Sequence, residues 1–118
     1  FPRNRVLGCI QNDTLIYQYG KEVARQLREI GVQVNLAPVA DVDNNPDNPV
    51  INVRSFGSDP KRVARKVVAY SRGLEDGGVL AVCKHFPGHG DIHIMYCRCL
   101  ISLVIVWTAW SCILFGRL

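Results

Sequence analysis

Two short apolar runs, each delivered by an amphipathic helix, constrain this chain most. The runs VQVNLAPVADV (residues 32–42) and VLAVC (residues 79–83) are mostly apolar and rich in β-branched residues, and read as short buried strands. Strands of that kind belong to sheets covered on both faces. The first follows DTLIYQYGKEVARQLREI, over residues 13–30. There Leu15, Tyr19, Val23, Leu27 and Ile30 recur near helical spacing, Asp13 or Thr14 supplies an N-cap, and Gly31 a stop. The second follows a helix opened by Asp59 as N-cap and Pro60 in the first turn. That helix runs to about Asp76 with Val63, Val67, Tyr70 and Leu74 on one face, and Gly77-Gly78 end it. Between the two units, residues 43–59 (DNNPDNPVINVRSFGSD) read as a loop punctuated by Pro, Asn and Gly.

The order helix, strand, long loop, helix, strand, polar loop implies a parallel sheet with helices outside it. Two strands cannot close such a sheet. A (β/α)8 barrel takes roughly 250 residues, against 118 here. The expected fold class is therefore α/β, a fragment of a (β/α)8 TIM barrel. Residues just beyond the strands of such a barrel line its active face. Here they are Asp41, Arg54 on the following loop, and Lys84-His85. The chain opens Phe1-Pro2-Arg3 without an initiator Met or an apolar leader, and so reads as a piece of something longer.

Charge divides the chain. All ten acidic residues lie at or before Asp91, whereas residues 92–118 hold no acid, both Trp, the single Met and three of the five Cys. The net charge of +4 includes Arg98 and Arg117 of that tail; without them it is +2, too little for a nucleic-acid surface. The odd cysteine count, with Cys97 and Cys99 one residue apart, fits neither a disulfide framework nor a zinc spacing.

The chemistry concentrates in Lys84-His85-Phe86-Pro87-Gly88-His89-Gly90-Asp91, at the end of the second strand. This run resembles the KHFPGHGD signature of family 3 β-N-acetylglucosaminidases. Three further pieces agree in order and spacing: Phe1-Pro2-Arg3; Asn35-Leu36-Ala37-Pro38-Val39-Ala40-Asp41; and Arg54-Ser55-Phe56-Gly57 with Asp59-Pro60. The resemblance covers residues 1 to about 91.

That resemblance implies a glycoside hydrolase of the β-N-acetylhexosaminidase type, removing a terminal β-linked N-acetylhexosamine with retention. Arg54, Lys84 and His85 match the positions that hydrogen-bond the sugar hydroxyls. Asp41 stands on the same face without an assigned role. The partner implied is an N-acetylglucosamine-containing glycan or muropeptide, with no cofactor and no metal. The setting implied is bacterial, with cytoplasm, periplasm and exterior all open.

Retaining hydrolysis ordinarily needs a nucleophile and an acid/base about 5 Å apart. In the resembled family the acid/base is an Asp-Ser-His loop dyad shortly after the GHGD turn, and the Asp nucleophile lies much further on. Here Asp91 is followed by Ile92-His93-Ile94-Met95-Tyr96-Cys97, with no such dyad. No catalytic group is therefore assigned within this chain. Residues 1–91 read as a partial barrel domain and residues 92–118 as an aberrant hydrophobic tail, read out of frame. Shifted one base upstream, the single codons of Met95 and Trp107 dictate Val and Asp. Permitted wobble choices then give a Ser-His pair, an LP turn and a helix with R-LDS-ELYPF.

Two alternatives come from other classes. Cys99 to Phe115 is an acid-free run at the lower edge of a membrane span, which would make the chain a small membrane-anchored binding module. His85, His89, Asp91 and His93 cluster within nine residues, which would suit a metal-dependent hydrolase, although their spacing matches no standard zinc pattern.

Overall fold

The structure is a computed structural model, and it describes residues 1–86 and 88–90. Pro87, Asp91, His93 and the tail from residue 92, including the apolar run 99–115, lie outside the described residues. The elements are α1 (Asn4–Gly8), α2 (Asp13–Glu29), β1 (Val34–Asn35), a 3-10 turn (Asn52–Arg54), α3 (Pro60–Asp76) and β2 (Leu80–Ala81). Strands β1 and β2 pair in parallel, Val34 with Leu80 and Asn35 with Ala81. A further parallel bridge joins Val39 to Lys84 beyond them.

Both long helices form where their caps dictate. Asp59 accepts from the Lys61 amide at 2.9 Å, and Pro60 takes the first turn, where its missing N–H has no partner to lose. The cap of α2 is Asn12, one residue before Asp13 and two before Thr14, and it accepts from the Thr14 amide at 2.9 Å. Asp13 is drawn away instead by α3, where it ion-pairs with Lys66 at 2.5 Å and Arg65 at 3.4 Å. Lys66 is 2 % exposed, and its ammonium also donates to the Ile10 carbonyl. This buried cation is held because its ammonium meets two oxygens, one of them a carboxylate.

The apolar stripe of α2 differs from its sequence reading by one position. Leu15 and Ile30 are exposed, and the buried residues are Ile16, Gly20 and Ala24, flanked by Tyr19, Val23 and Leu27. Small residues win this seam because α2 and α3 touch backbone to backbone. A Cβ on Gly73 would stand 2.2 Å from the Tyr17 carbonyl oxygen, and one on Gly20 would stand 2.5 Å from that of Tyr70. Val63, Tyr70 and Leu74 are buried on α3 as their spacing predicts, with Val67 packed beside them.

One face of the sheet, carrying Ala81 and flanked by Val79 and Ala37, packs on these helices. The opposite face shows Val34, Leu36, Leu80 and Val82 to solvent. Both strands thus turn an apolar face to solvent while helices cover the other. That is the pattern of strands whose second face is the inside of a larger sheet. Among the described residues no helix is long and apolar enough to cross a membrane.

Candidate functional site

The parallel register sends the C-terminal ends of both strands to the same edge. Val39 bridges Lys84, the Lys84 amide donates to Pro38 O at 3.0 Å, and Ala40 N donates to Lys84 O at 2.6 Å. Asp41 and the turn beginning at Lys84 are therefore side by side. The Ala37–Pro38 and Lys84–His85 peptides are both cis.

Asp41 is buried, and its side chain is closed to solvent. Oδ2 accepts from the His85 amide at 3.1 Å and meets His85 Nδ1 at 2.6 Å. Oδ1 accepts from the His89 amide at 2.5 Å. On the far side of the imidazole, Nε2 stands 3.3 Å from Arg54 Nη2. A guanidinium only donates, so the Nε2 position serves as the acceptor and Nδ1–H points to Asp41. The rings of His85 and His89 meet edge to face, with centroids 5.0 Å apart.

Arg54 ends the 3-10 turn and is held from behind. Its amide donates to Ile51 O at 2.8 Å, its Nη1 to Val50 O at 3.0 Å, and its carbonyl accepts from Asn4 Nδ2 at 2.8 Å. Buried Ser55 fastens the loop to the strand end, donating to Asp41 O at 2.6 Å. Arg5 of α1 ion-pairs with the buried Asp43. An open depression of about 290 Å³ lies over this frame, lined by Arg3, Asn4, Val39, Val53, Arg54 and Lys84. Three cations, two valines and no carboxylate line it.

The four residues expected from the sequence thus take different places. Arg54 and Lys84 line the depression. His85 stands at its margin against Arg54, and Asp41 lies beneath as the anchor of His85 rather than in the pocket. Arg3 and Asn4 line the depression, Ser55 binds the Asp41 carbonyl and the buried Asn48 binds the His89 carbonyl, and none of the four is among the expected site residues. Asn48 and Asn4 carried no signal beyond loop and helix-start composition, whereas Arg3 and Ser55 lay inside matched motifs. Among the described residues no three His, Cys, Asp or Glu side chains gather as a metal-ligand set.

The profile of the Glycosyl hydrolase family 3 N terminal domain matches residues 1–94. Beta-hexosaminidase A of Pseudoalteromonas piscicida is 44% identical over 97 residues, covering 80% of this chain and 16% of its own length. A solved glycosyl hydrolase of the GH3 family from Mycobacterium smegmatis is 46% identical, with a TM-score of 0.71 over 76% of this chain and 28% of its own. A glycoside hydrolase family 3 β-N-acetylglucosaminidase from a Paenibacillus species is 45% identical, with a TM-score of 0.72 over 75% of this chain and 17% of its own. The chain thus spans less than a third of the length of each of these relatives.

Proposed function

The chain belongs to glycosyl hydrolase family 3, its described residues are part of a (β/α)8 barrel, and on that premise we propose that it supplies the sugar-binding part of a β-N-acetylhexosaminidase site. The observation that carries this is the placement of Arg54 and Lys84 on one open depression at the strand ends, with His85 held rigidly beside them by Asp41. A pyranose presents a fan of hydroxyls and an apolar face. Fixed cationic donors orient the hydroxyls, and Val39 and Val53 suit the apolar face. Arg54, Lys84 and His85 are the substrate-binding residues in this reading, and Asp41 is a positioning residue. The substrate is a glycan or muropeptide ending in β-linked N-acetylglucosamine.

No acid/base or nucleophile is assigned within residues 1–91, so this stretch binds and the remainder of a complete enzyme reacts. Residues 92–118 are the out-of-frame tail in this reading; the family match stops close to that point, at residue 94. Resequencing the gene through codons 88–118 tests it. A frame that reopens into an Asp-Ser-His segment is expected, and an intact frame in independent genomic clones would contradict it. The function is tested with the complete enzyme containing this segment and a chromogenic β-N-acetylglucosaminide. Lys84→Ala and Arg54→Ala should each cut kcat/KM by roughly 100-fold, the scale of a lost charged hydrogen bond to bound substrate. Activity unchanged in both variants would remove them from the binding role.

A further inference from the structure

One buried side chain links the Arg54 loop to the His85 turn. Asn48 is 1 % exposed, and its amide is used on both ends. Its Oδ1 accepts from the amides of Val50 at 2.8 Å and Ile51 at 3.2 Å. Its Nδ2 donates to the carbonyls of His89 at 2.6 Å and Gly90 at 3.2 Å.

Each end leads to a proposed sugar-binding residue. The carbonyls of Val50 and Ile51 hold Arg54 by its guanidinium and its amide. The His89 amide is bound to Asp41, and Asp41 holds His85. His85 and Arg54 then meet at 3.3 Å. The bonds close a ring that runs Asn48, Val50–Ile51, Arg54, His85, Asp41, His89 and back to Asn48. The depth of the turn is fixed separately, because Gly90 packs on strand-end backbone. A Cβ there would stand 2.0 Å from Val42 O.

We infer that Asn48 is a positioning residue that sets the separation of Arg54 from His85, and with it the fit of the sugar, an inference that rests on the proposed function. Only a side chain with an acceptor at one end and two donors at the other closes this ring. Aspartate has the shape but would turn a second oxygen toward two carbonyls. Serine can still satisfy the Val50 amide within its own loop, but it is too short to hold the turn as well.

The test compares Asn48→Asp and Asn48→Ser with wild type in the complete enzyme containing this segment. It reads kcat and KM for a chromogenic β-N-acetylglucosaminide, the inhibition constant of free N-acetylglucosamine, and Tm. In Asn48→Asp, KM and the inhibition constant should rise roughly 10- to 100-fold near neutral pH, the scale of an ångström of misplacement. The change in kcat should stay within about threefold, as for a loss of uniform binding. The deficit relative to wild type should shrink as pH falls, because a protonated carboxyl can donate to the His89 carbonyl. The other titratable groups near this position are Asp41, His85 and His89 in the ring and Asp47 beside it in sequence. All four are present in wild type, so the ratio of variant to wild type removes their own titration.

Asn48→Ser should lose affinity to a similar degree without the recovery at low pH, and it decides the matter if Asn48→Asp does not fold. Affinities within twofold of wild type would overturn the inference. So would a deficit in Asn48→Asp that ignores pH, or a fall in Tm with no change in affinity. A wild-type enzyme that releases no N-acetylglucosamine contradicts the proposed function instead. The ring is then judged from a crystal structure of Asn48→Ser, where an Arg54–His85 distance still near 3.3 Å overturns the inference.

Discussion

Asp41→Asn is the substitution that the site's geometry predicts most sharply. The native carboxylate accepts three N–H groups: the His85 amide and Nδ1 at Oδ2, and the His89 amide at Oδ1. It offers no donor, and none is wanted. An asparagine of the same shape can turn its oxygen to only one side. With the oxygen toward His85, its NH2 faces the His89 N–H; with the oxygen toward His89, its NH2 faces both donors of His85. Either way at least one buried donor is stranded, at a cost of about 1–3 kcal/mol, and the remaining bonds lose their charge assistance. A total of about 2–3 kcal/mol falls on the placement of His85 relative to Arg54. At about 1.4 kcal/mol per decade this is roughly a 30- to 150-fold loss in kcat/KM. The assay is hydrolysis of a chromogenic β-N-acetylglucosaminide by the complete enzyme containing this segment, with thermal unfolding recorded in parallel. A variant within twofold of wild type in kcat/KM would show that the Asp41 anchor is dispensable for the site.

Two further predictions concern the scaffold. Gly73→Ala puts a methyl group where the Tyr17 carbonyl lies 2.2 Å away and Gly20 Cα 3.0 Å away, so α2 and α3 must separate; a loss of about 1–3 kcal/mol in denaturant unfolding is expected, and an unchanged midpoint would contradict the close crossing. Burial, and then the neighbouring Tyr19, push the Tyr70 phenol up to about 12 against an opposing hydrogen bond with Asn35. The fold favours the neutral phenol, so this contribution to stability is complete below about pH 10 and is lost as pH rises from there toward 12. Denaturation midpoints at neutral pH and near pH 11 should show the loss, and Tyr70→Phe should reduce it; a midpoint that rises with pH would contradict the sign.

The sequence made the helices and the strand ends legible for reasons that are local. Asp59-Pro60 and Gly77-Gly78 are chemical start and stop signals, and they act within one turn of the backbone. The cap of α2 falls one residue before Asp13 because Asn12 and Asp13 are both good caps, and the choice between them is made by Lys66, fifty-three residues from Asp13. Periodicity along α2 shows its large residues, whereas the contact is made by Gly20, whose value lies in having no side chain at a backbone crossing. In the site, Lys84 and His85 were visible as polar residues ending an apolar run. The separation of roles between them was not visible: the placing of Asp41 under His85, and of His85 against Arg54, depends on parallel register and on loop closure across thirty-one to forty-four residues. Asn48 gave only a turn signal, since an Asn between prolines looks the same whether it caps its own loop or reaches into another.

The most direct measurement is a crystal structure of the complete enzyme containing this segment, soaked with N-acetylglucosamine. The sugar is expected in the depression at the strand ends, with Lys84 Nζ and the Arg54 guanidinium within hydrogen-bond distance of its hydroxyls and His85 still bound to Asp41. A sugar bound elsewhere, or bound here without touching Lys84 or Arg54, would contradict it.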